Sequence, residues 1–352
     1  MRTENRRKFL ARAAALGVGL FGFAEQGAGQ IPLLEPPKDA TNLMKPETRK
    51  AIKAGLAFLR SRQNDDGSFA ASQYGRNVAV CSLAGMAFMA NGSTPGRGAY
   101  GRDVNRCVSF VLNNAHDSGF IVSDAVSHGP MYGHGFATLF LAEAYGMYPD
   151  TMVREKLANA VELIINTQNE EGGWRYEPKR QEADISVTIC QVMALRAARN
   201  AGIFVPNETI DRCIDYVKRS QNADGGFMYM LSQPGDSRFP RSAAGIVALY
   251  SAGIYEGEEI ERGLDYLMKH VPRSEAPQRD SHYFYGHYYA VQAMWQAGGE
   301  RWRDWYPAVH DALLARQTPE GSWFDSISPE YGTAMACIIL QMPNNYLPIF
   351  QH

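Results

Sequence analysis

Three side chains with proton-transfer chemistry stand at matching places in this sequence. They are Asp184 in Glu182-Ala183-Asp184-Ile185-Ser186, His134 in Tyr132-Gly133-His134-Gly135, and His287 in Tyr285-Gly286-His287-Tyr288. Each falls where a long apolar run begins, as do Asn77 after Tyr74-Gly75-Arg76, Arg241 in Phe239-Pro240-Arg241-Ser242, and Tyr331 in Tyr331-Gly332-Thr333. A carboxyl and imidazoles brought together can act as general acids and bases. An arginine can grip an anionic head such as a diphosphate or a carboxylate. Tyrosine rings offer π faces to a cation. Asp184, His134 and His287 are therefore the candidate catalytic residues. Asn77, Tyr132, Glu182, Ser186, Arg241, Tyr285, Tyr288 and Tyr331 are the candidate ligand-binding residues. The same residues also have structural readings, Asp184 as a helix N-cap and the tyrosines as core. His134, Asp184 and His287 could converge across a ring to hold a metal, but three scattered residues define no metal set, so no cofactor is assigned. The glycine-rich stretch Gly129-Pro130-Met131-Tyr132-Gly133 lacks a following Lys-Ser/Thr and is not read as a nucleotide loop.

These side chains need a scaffold that brings distant segments together, and a repeated phrase supplies one. It reads Gln63-Asn64-Asp65-Asp66-Gly67-Ser68-Phe69, Gln168-Asn169-Glu170-Glu171-Gly172-Gly173-Trp174, Gln221-Asn222-Ala223-Asp224-Gly225-Gly226-Phe227 and Gln317-Thr318-Pro319-Glu320-Gly321-Ser322-Trp323. The copies start 105, 53 and 96 residues apart. Two of these gaps are about twice the third, so a degenerate copy belongs in each. His116-Asp117-Ser118-Gly119-Phe120 fills one and the stretch near His270-Val271-Pro272 the other. Six repeats of roughly fifty residues then occupy the chain from about residue 45.

Two kinds of helix flank each phrase. Before it runs an amphipathic one, as in Ile210, Cys213, Ile214, Tyr216 and Val217 with Asp211, Arg212 and Lys218 opposite. After it runs one that is apolar all round, as in Val78-Ala79-Val80-Cys81-Ser82-Leu83-Ala84-Gly85-Met86. The first kind faces water on one side and the second must be buried on all sides. Six alternations predict an all-α, α/α toroid of six helical hairpins, with an inner ring lining the axis. The rival, an open solenoid, would need polar capping repeats, and the last repeat is as apolar as the middle ones. The candidate residues then gather at the starts of the inner helices, a polar ring over an apolar shaft that suits a mostly hydrophobic ligand with a polar head.

Before the repeats, Asn5-Arg6-Arg7-Lys8-Phe9-Leu10 and the apolar stretch from Ala13 to Ala24 read as a twin-arginine export signal over residues 1–30, followed by a linker at 31–44 and the toroid at 45–352. The expected location is periplasmic or otherwise exported. No later segment is long and apolar enough to span a bilayer. With 35 Lys+Arg against 37 Asp+Glu, nothing points to nucleic acid. The 5 Cys are scattered and form no disulfide framework.

The phrase Q-x-x-[DE]-G-[GS]-[FW] before an apolar helix resembles the repeat shared by squalene and other triterpene cyclases and by protein prenyltransferase β subunits. The resemblance implies the toroid, and implies an apolar, isoprenoid-like ligand in its central cavity. Proton-initiated cyclases carry Asp-x-Asp-Asp at this kind of position, with the middle Asp as general acid. Asp184 matches that middle Asp, Glu182 stands for the first and Ile185 for the third. Prenyltransferases bind zinc through Asp-x-Cys and a His in the next repeat; here Ser186 and Arg241 stand in those places. Two other functions remain open. One is a non-enzymatic protein-interaction toroid, without the Cys-Gly-Glu-Gln of thioester proteins. The other is a periplasmic carbohydrate-active enzyme, which needs two carboxylates across a cleft, whereas Glu182 and Asp184 are near neighbours in the chain. No protein partner is assigned.

Overall fold

A computed structural model describes residues 43–69, 74–125, 129–272 and 282–351. The export signal, and all of the expected linker but its last two residues, lie outside the described residues. Twelve helices follow in order: α1 Pro46–Arg62, α2 Val78–Ala90, α3 Gly101–Asn113, α4 Pro130–Met147, α5 Thr151–Thr167, α6 Ile185–Asn200, α7 Asn207–Arg219, α8 Phe239–Ser251, α9 Glu258–Met268, α10 Tyr283–Ala297, α11 Gly299–Leu314 and α12 Pro329–Leu340. None is long and apolar enough to cross a membrane.

Odd-numbered helices are the amphipathic ones. α7 buries Thr209, Ile210, Cys213, Tyr216 and Val217 on one stripe and leaves Asp211 and Asp215 exposed. Even-numbered helices are buried on nearly every side over most of their length: α2 is buried at every position but Ala79. The even helices pack in a circle, α2 on α4, α4 on α6, α6 on α8, α8 on α10 and α10 on α12, and α12 returns to α2. Small residues allow this close approach. At Gly135 of α4 an added Cβ would lie 2.7 Å from the Cβ of Cys190 on α6. All five cysteines are buried thiols.

The phrase glutamines show how neighbouring hairpins are tied. Each uses its side-chain amide nitrogen twice, donating to the glycine carbonyl of its own turn and to the outer helix of the next repeat. Gln63 reaches Gly67 and Asp103, Gln168 reaches Gly172 and Thr209, and Gln221 reaches Gly225 and Glu259. Gln317 of the last repeat donates to Gly321 and back to Ala51 of the first. The ring is therefore closed by the same bond that links its members. Arg62 to the buried Glu330 (3.1 Å) and Thr48 to His310 (2.7 Å) reinforce the seam. The phrase glycine is required for the approach: Gly172 has φ +98°, and a Cβ there would stand 2.1 Å from the Arg212 carbonyl oxygen. The phrase tryptophans fold back on their own outer helices, Trp174 donating to Ile164 and Trp323 to Leu313.

Candidate functional site

Inner helices all begin at the same end of the ring, because each follows an outer helix that runs the other way. A cavity of about 730 Å3 opens there, and every inner helix start contributes to its wall. Asn77, Tyr132, Ser186, Arg241, Tyr285 and Tyr331 all line it. Phe136 is the lining residue furthest along α4. Further down the inner helices Met86, Met193 and Trp295 are buried, so the shaft is open at one end and filled towards the other.

The wall is aromatic and uncharged but for one side. Seven tyrosines line it: Tyr74, Tyr132, Tyr176, Tyr229, Tyr266, Tyr285 and Tyr331. The Tyr132 ring lies 6.0 Å from that of Tyr176 and 6.5 Å, edge-on, from that of Tyr285. The Tyr285 hydroxyl donates to the Ser186 carbonyl at 2.8 Å. Tyr176 and Tyr229 bond through their hydroxyls. Among the described residues of the wall there is no carboxylate, whereas Arg238, Arg241, His270 and His282 all face the space. Arg241 donates to the carbonyls of Phe227 (2.9 Å) and Asp236. Burial first, and then the neighbouring Arg238, lower its pKa, against the raising effect of Tyr266, Asp236 and Tyr229.

Asp184 stands immediately behind this wall. It is wholly buried and caps α6, with Oδ1 accepting from the Val187 N–H at 2.9 Å. Its other oxygen, Oδ2, is buried with no hydrogen-bond partner among the described residues. Burial pushes its pKa up to about 6, against the opposing pull of the Val187 and Ser186 N–H groups, Arg175 and Tyr229. The carboxyl interacts electrostatically with Tyr132, Tyr229 and Tyr285, all on the cavity wall.

Four other sequence candidates lie outside the cavity. Both ring nitrogens of His134 serve the backbone: Nδ1 accepts from the Ile121 N–H (3.1 Å), so Nε2–H donates to the Ala160 carbonyl (3.3 Å). Burial lowers its pKa to about 4, and it ties the second repeat's turn to the outer helix α5. His287 is buried behind Phe239, its ring 5.0 Å from that of the phenylalanine. Tyr288 packs between Phe136 and Phe350 in the core. Glu182 points to solvent and pairs with Arg175 at 3.3 Å. The cause is common to the histidines and Tyr288: one turn of an inner helix past its first residues, a side chain has already entered the packing between helices.

The sequence reading overlooked Tyr229, Tyr266, His270 and His282. A signal for Tyr229 was present, since Gly172-Gly173-Trp174-Arg175-Tyr176 and Gly225-Gly226-Phe227-Met228-Tyr229 share a tyrosine two places after the phrase aromatic. Extended backbone turns alternate residues to opposite sides, so the aromatic enters the core and the tyrosine meets the cavity. His282 lies in the left-handed region at φ +67°, immediately before α10, and nothing in its sequence context announces this. No group of three or more His, Cys, Asp or Glu able to hold a metal occurs among the described residues.

With this geometry in hand, comparison with known proteins is informative. Residues 43–158 match the prenyltransferase alpha-alpha toroid domain, and residues 137–281 match the squalene-hopene cyclase C-terminal domain. No curated protein matches the sequence. Among solved structures, the type II terpene cyclase MstE from Scytonema superposes with a TM-score of 0.60 at 15% identity, over 86% of this chain and 100% of that one. Another structure of that cyclase holds the substrate geranylgeranyl dihydroxybenzoate. An inactive variant of an alpha-1,6-mannanase from a Salegentibacter species, in complex with alpha-1,6-mannotetrose, gives a TM-score of 0.62 at 9% identity, over 84% of this chain and 99% of that one. At such identities the likeness is one of fold. The chain is an α/α toroid, similar over residues 43–281 to the prenyltransferase toroid and squalene-hopene cyclase domains.

Proposed function

We propose that this protein is exported through the twin-arginine route and that its central cavity takes an isoprenoid or similar long apolar ligand. The polar head sits at Arg238 and Arg241, and Asp184 is the candidate acid behind the wall. The observation that carries this reading is the cavity itself. About 730 Å3 lies within the size range of small-molecule sites, its walls are mainly aromatic, and its charged groups are two guanidiniums without an ion-pair partner among the described residues. An extended apolar chain fills such a space, and an anionic head relieves the arginine pair. Carbohydrate hydrolysis, which the mannanase likeness brings to mind, needs two carboxylates facing the substrate. The described wall offers none, which disfavours that reading.

For chemistry, Asp184 must be reached past Tyr229, whose hydroxyl is held by Tyr176. With a pKa of about 6 it keeps its proton in a mildly acidic medium. An alkene, however, demands a much stronger acid than this. That observation favours a second reading, a carrier that binds the ligand unchanged. Purified protein is titrated with isoprenoid alcohols and diphosphates, and products are sought by mass spectrometry for wild type and Asp184→Asn. Saturable binding by both proteins, with conversion by wild type alone, is the enzyme outcome. Binding by both without conversion is the carrier outcome. Failure of every isoprenoid to bind would overturn both.

A further inference from the structure

The cavity ends on a stack of three rings drawn from three separate segments. Phe136, on α4, is the wall residue deepest along an inner helix. Its ring meets that of Tyr288 on α10 edge-on, with centroids 6.1 Å apart, and Tyr288 meets Phe350 edge-on at 6.5 Å. Both pairs have the geometry that aromatic rings prefer. Beyond the stack is a second, far smaller cavity of about 20 Å3. It is lined by Phe350 and Ile349 and by later turns of the inner helices, Val247 on α8 and Gln292 and Trp295 on α10. Along α10, then, Tyr285 faces the large cavity and Gln292 the small one, while Tyr288 between them is fully buried and lines neither.

Phe350 belongs to no inner helix. It lies in the segment after α12, which forms short 3-10 turns at Met342–Asn344 and Pro348–Phe350. That segment is tied to the far ends of several inner helices. Asn344 donates to the Ala90 carbonyl at the end of α2 (3.2 Å), and Gln296 near the end of α10 donates to the Phe350 carbonyl (3.0 Å). The turn Pro348–Phe350 also packs on α6. Leu347, Ile349 and Phe350 are buried there. Glu143, two turns past Phe136 on α4, is buried beside the same segment. Burial pushes its pKa up to about 8, against the pull of the Ile349 N–H. At neutral pH it therefore keeps its proton and adds no charge to this end of the shaft.

We propose that Phe136, Tyr288 and Phe350 form a partition that limits the length of apolar chain the cavity accepts, and that the segment after α12 is thereby part of the ligand site. The proposal rests on the cavity being a site for a long apolar ligand, and it adds what sets that ligand's length. A chain running inward from the arginine side meets the Phe136 ring first. Rings packed at interior density leave no room for a further methylene, and forcing one in strains the core. Cutting back a ring of the stack lengthens the cavity from its blind end and leaves the mouth and its arginines in place.

The test is calorimetric titration of the full-length protein with geraniol, farnesol, geranylgeraniol and geranylfarnesol, alcohols that lengthen by one isoprene unit at each step. Wild-type affinity is expected to rise with length to a limit and to fall for the next alcohol. In Phe136→Ala that next alcohol is expected to gain at least about tenfold over geraniol, because two further buried methylenes supply that much. Phe350→Ala, at a residue that does not line the large cavity, is expected to give a smaller gain in the same direction, since Tyr288 loses the ring behind it. The ratio of long to short alcohol is the readout, and a loss of stability alone does not move it. If wild-type affinity climbs through the whole series, or Phe136→Ala leaves the limit where it was, the partition is overturned while the apolar cavity stands. If Phe350→Ala alone is silent, the segment after α12 is no part of the site. If wild type binds none of the four, the cavity reading itself falls. Phe136→Leu, a smaller cut, takes the place of Phe136→Ala should the latter not fold.

Discussion

Replacing Asp184 with Asn should change the stability of this protein in a way that depends on pH and runs opposite to ordinary acid denaturation. Most native carboxylates are stabilised in their charged form, so protonation unfolds the protein. Asp184 is the reverse case, because burial raises its pKa from the ordinary 3.8 to about 6. Below about pH 4 the carboxyl is neutral in both folded and unfolded chains. As pH rises, the unfolded chain ionises first while the native state holds its proton until about 6. The contribution of this group to stability is therefore complete at low pH and declines between about 4 and 6. Above that range the native state carries a buried carboxylate. A proton held about a hundredfold more tightly in the native state corresponds to roughly 3 kcal/mol. Asparagine keeps the N-cap bond to Val187 and cannot ionise. Urea unfolding of wild type and Asp184→Asn between pH 4 and 8 isolates the effect, since every other titrating group is common to both. The variant should gain about 3 kcal/mol relative to wild type across that range. A difference that stays flat, or that moves in favour of wild type, would refute the claim that Asp184 is a buried, proton-holding carboxyl.

Three further outcomes follow from the geometry. Gln168→Ala removes both bonds of a buried amide and strands the carbonyls of Gly172 and Thr209; a loss of about 2–4 kcal/mol is expected in chemical denaturation, larger than for the half-exposed Gln63→Ala. Gly172→Ala, at φ +98° and with its new Cβ 2.1 Å from the Arg212 carbonyl oxygen, should cost about 3 kcal/mol or more, seen as a fall in Tm or a loss of folded protein. Arg241→Gln should weaken an anionic amphiphile about tenfold and leave the neutral alcohol of the same chain unaffected, as read by calorimetric titration.

The ring was legible in the sequence because closure is written in local chemistry. Gln168 and its three counterparts recur with a glycine four places on, and that pair is the clamp between hairpins. Even the link from Gln317 to Ala51 uses the rule that joins successive repeats. The dryness of α2 and α12 and the single wet face of α7 likewise appear in the sequence as apolar patterns of different width. The location of the polar ring followed from the same alternation, since Asn77, Ser186, Arg241 and Tyr331 are placed by where a helix starts.

Individual roles were less legible, because one helical turn separates a wall residue from a core residue. Tyr285 lines the cavity, while His287 and Tyr288, two and three places later, do not. Sequence spacing gives a side chain's angle about its own helix, but whether that angle meets open space depends on where the neighbouring helices stand. His134 illustrates the point: its nitrogens bond Ile121 and Ala160, residues 13 before and 26 after it, and neither bond has a pattern to betray it. His287 has the same residue type and helix register, yet it lacks such bonds. The difference between them lies wholly in the neighbours, Phe239 and Trp305 in one case and backbone donors and acceptors in the other.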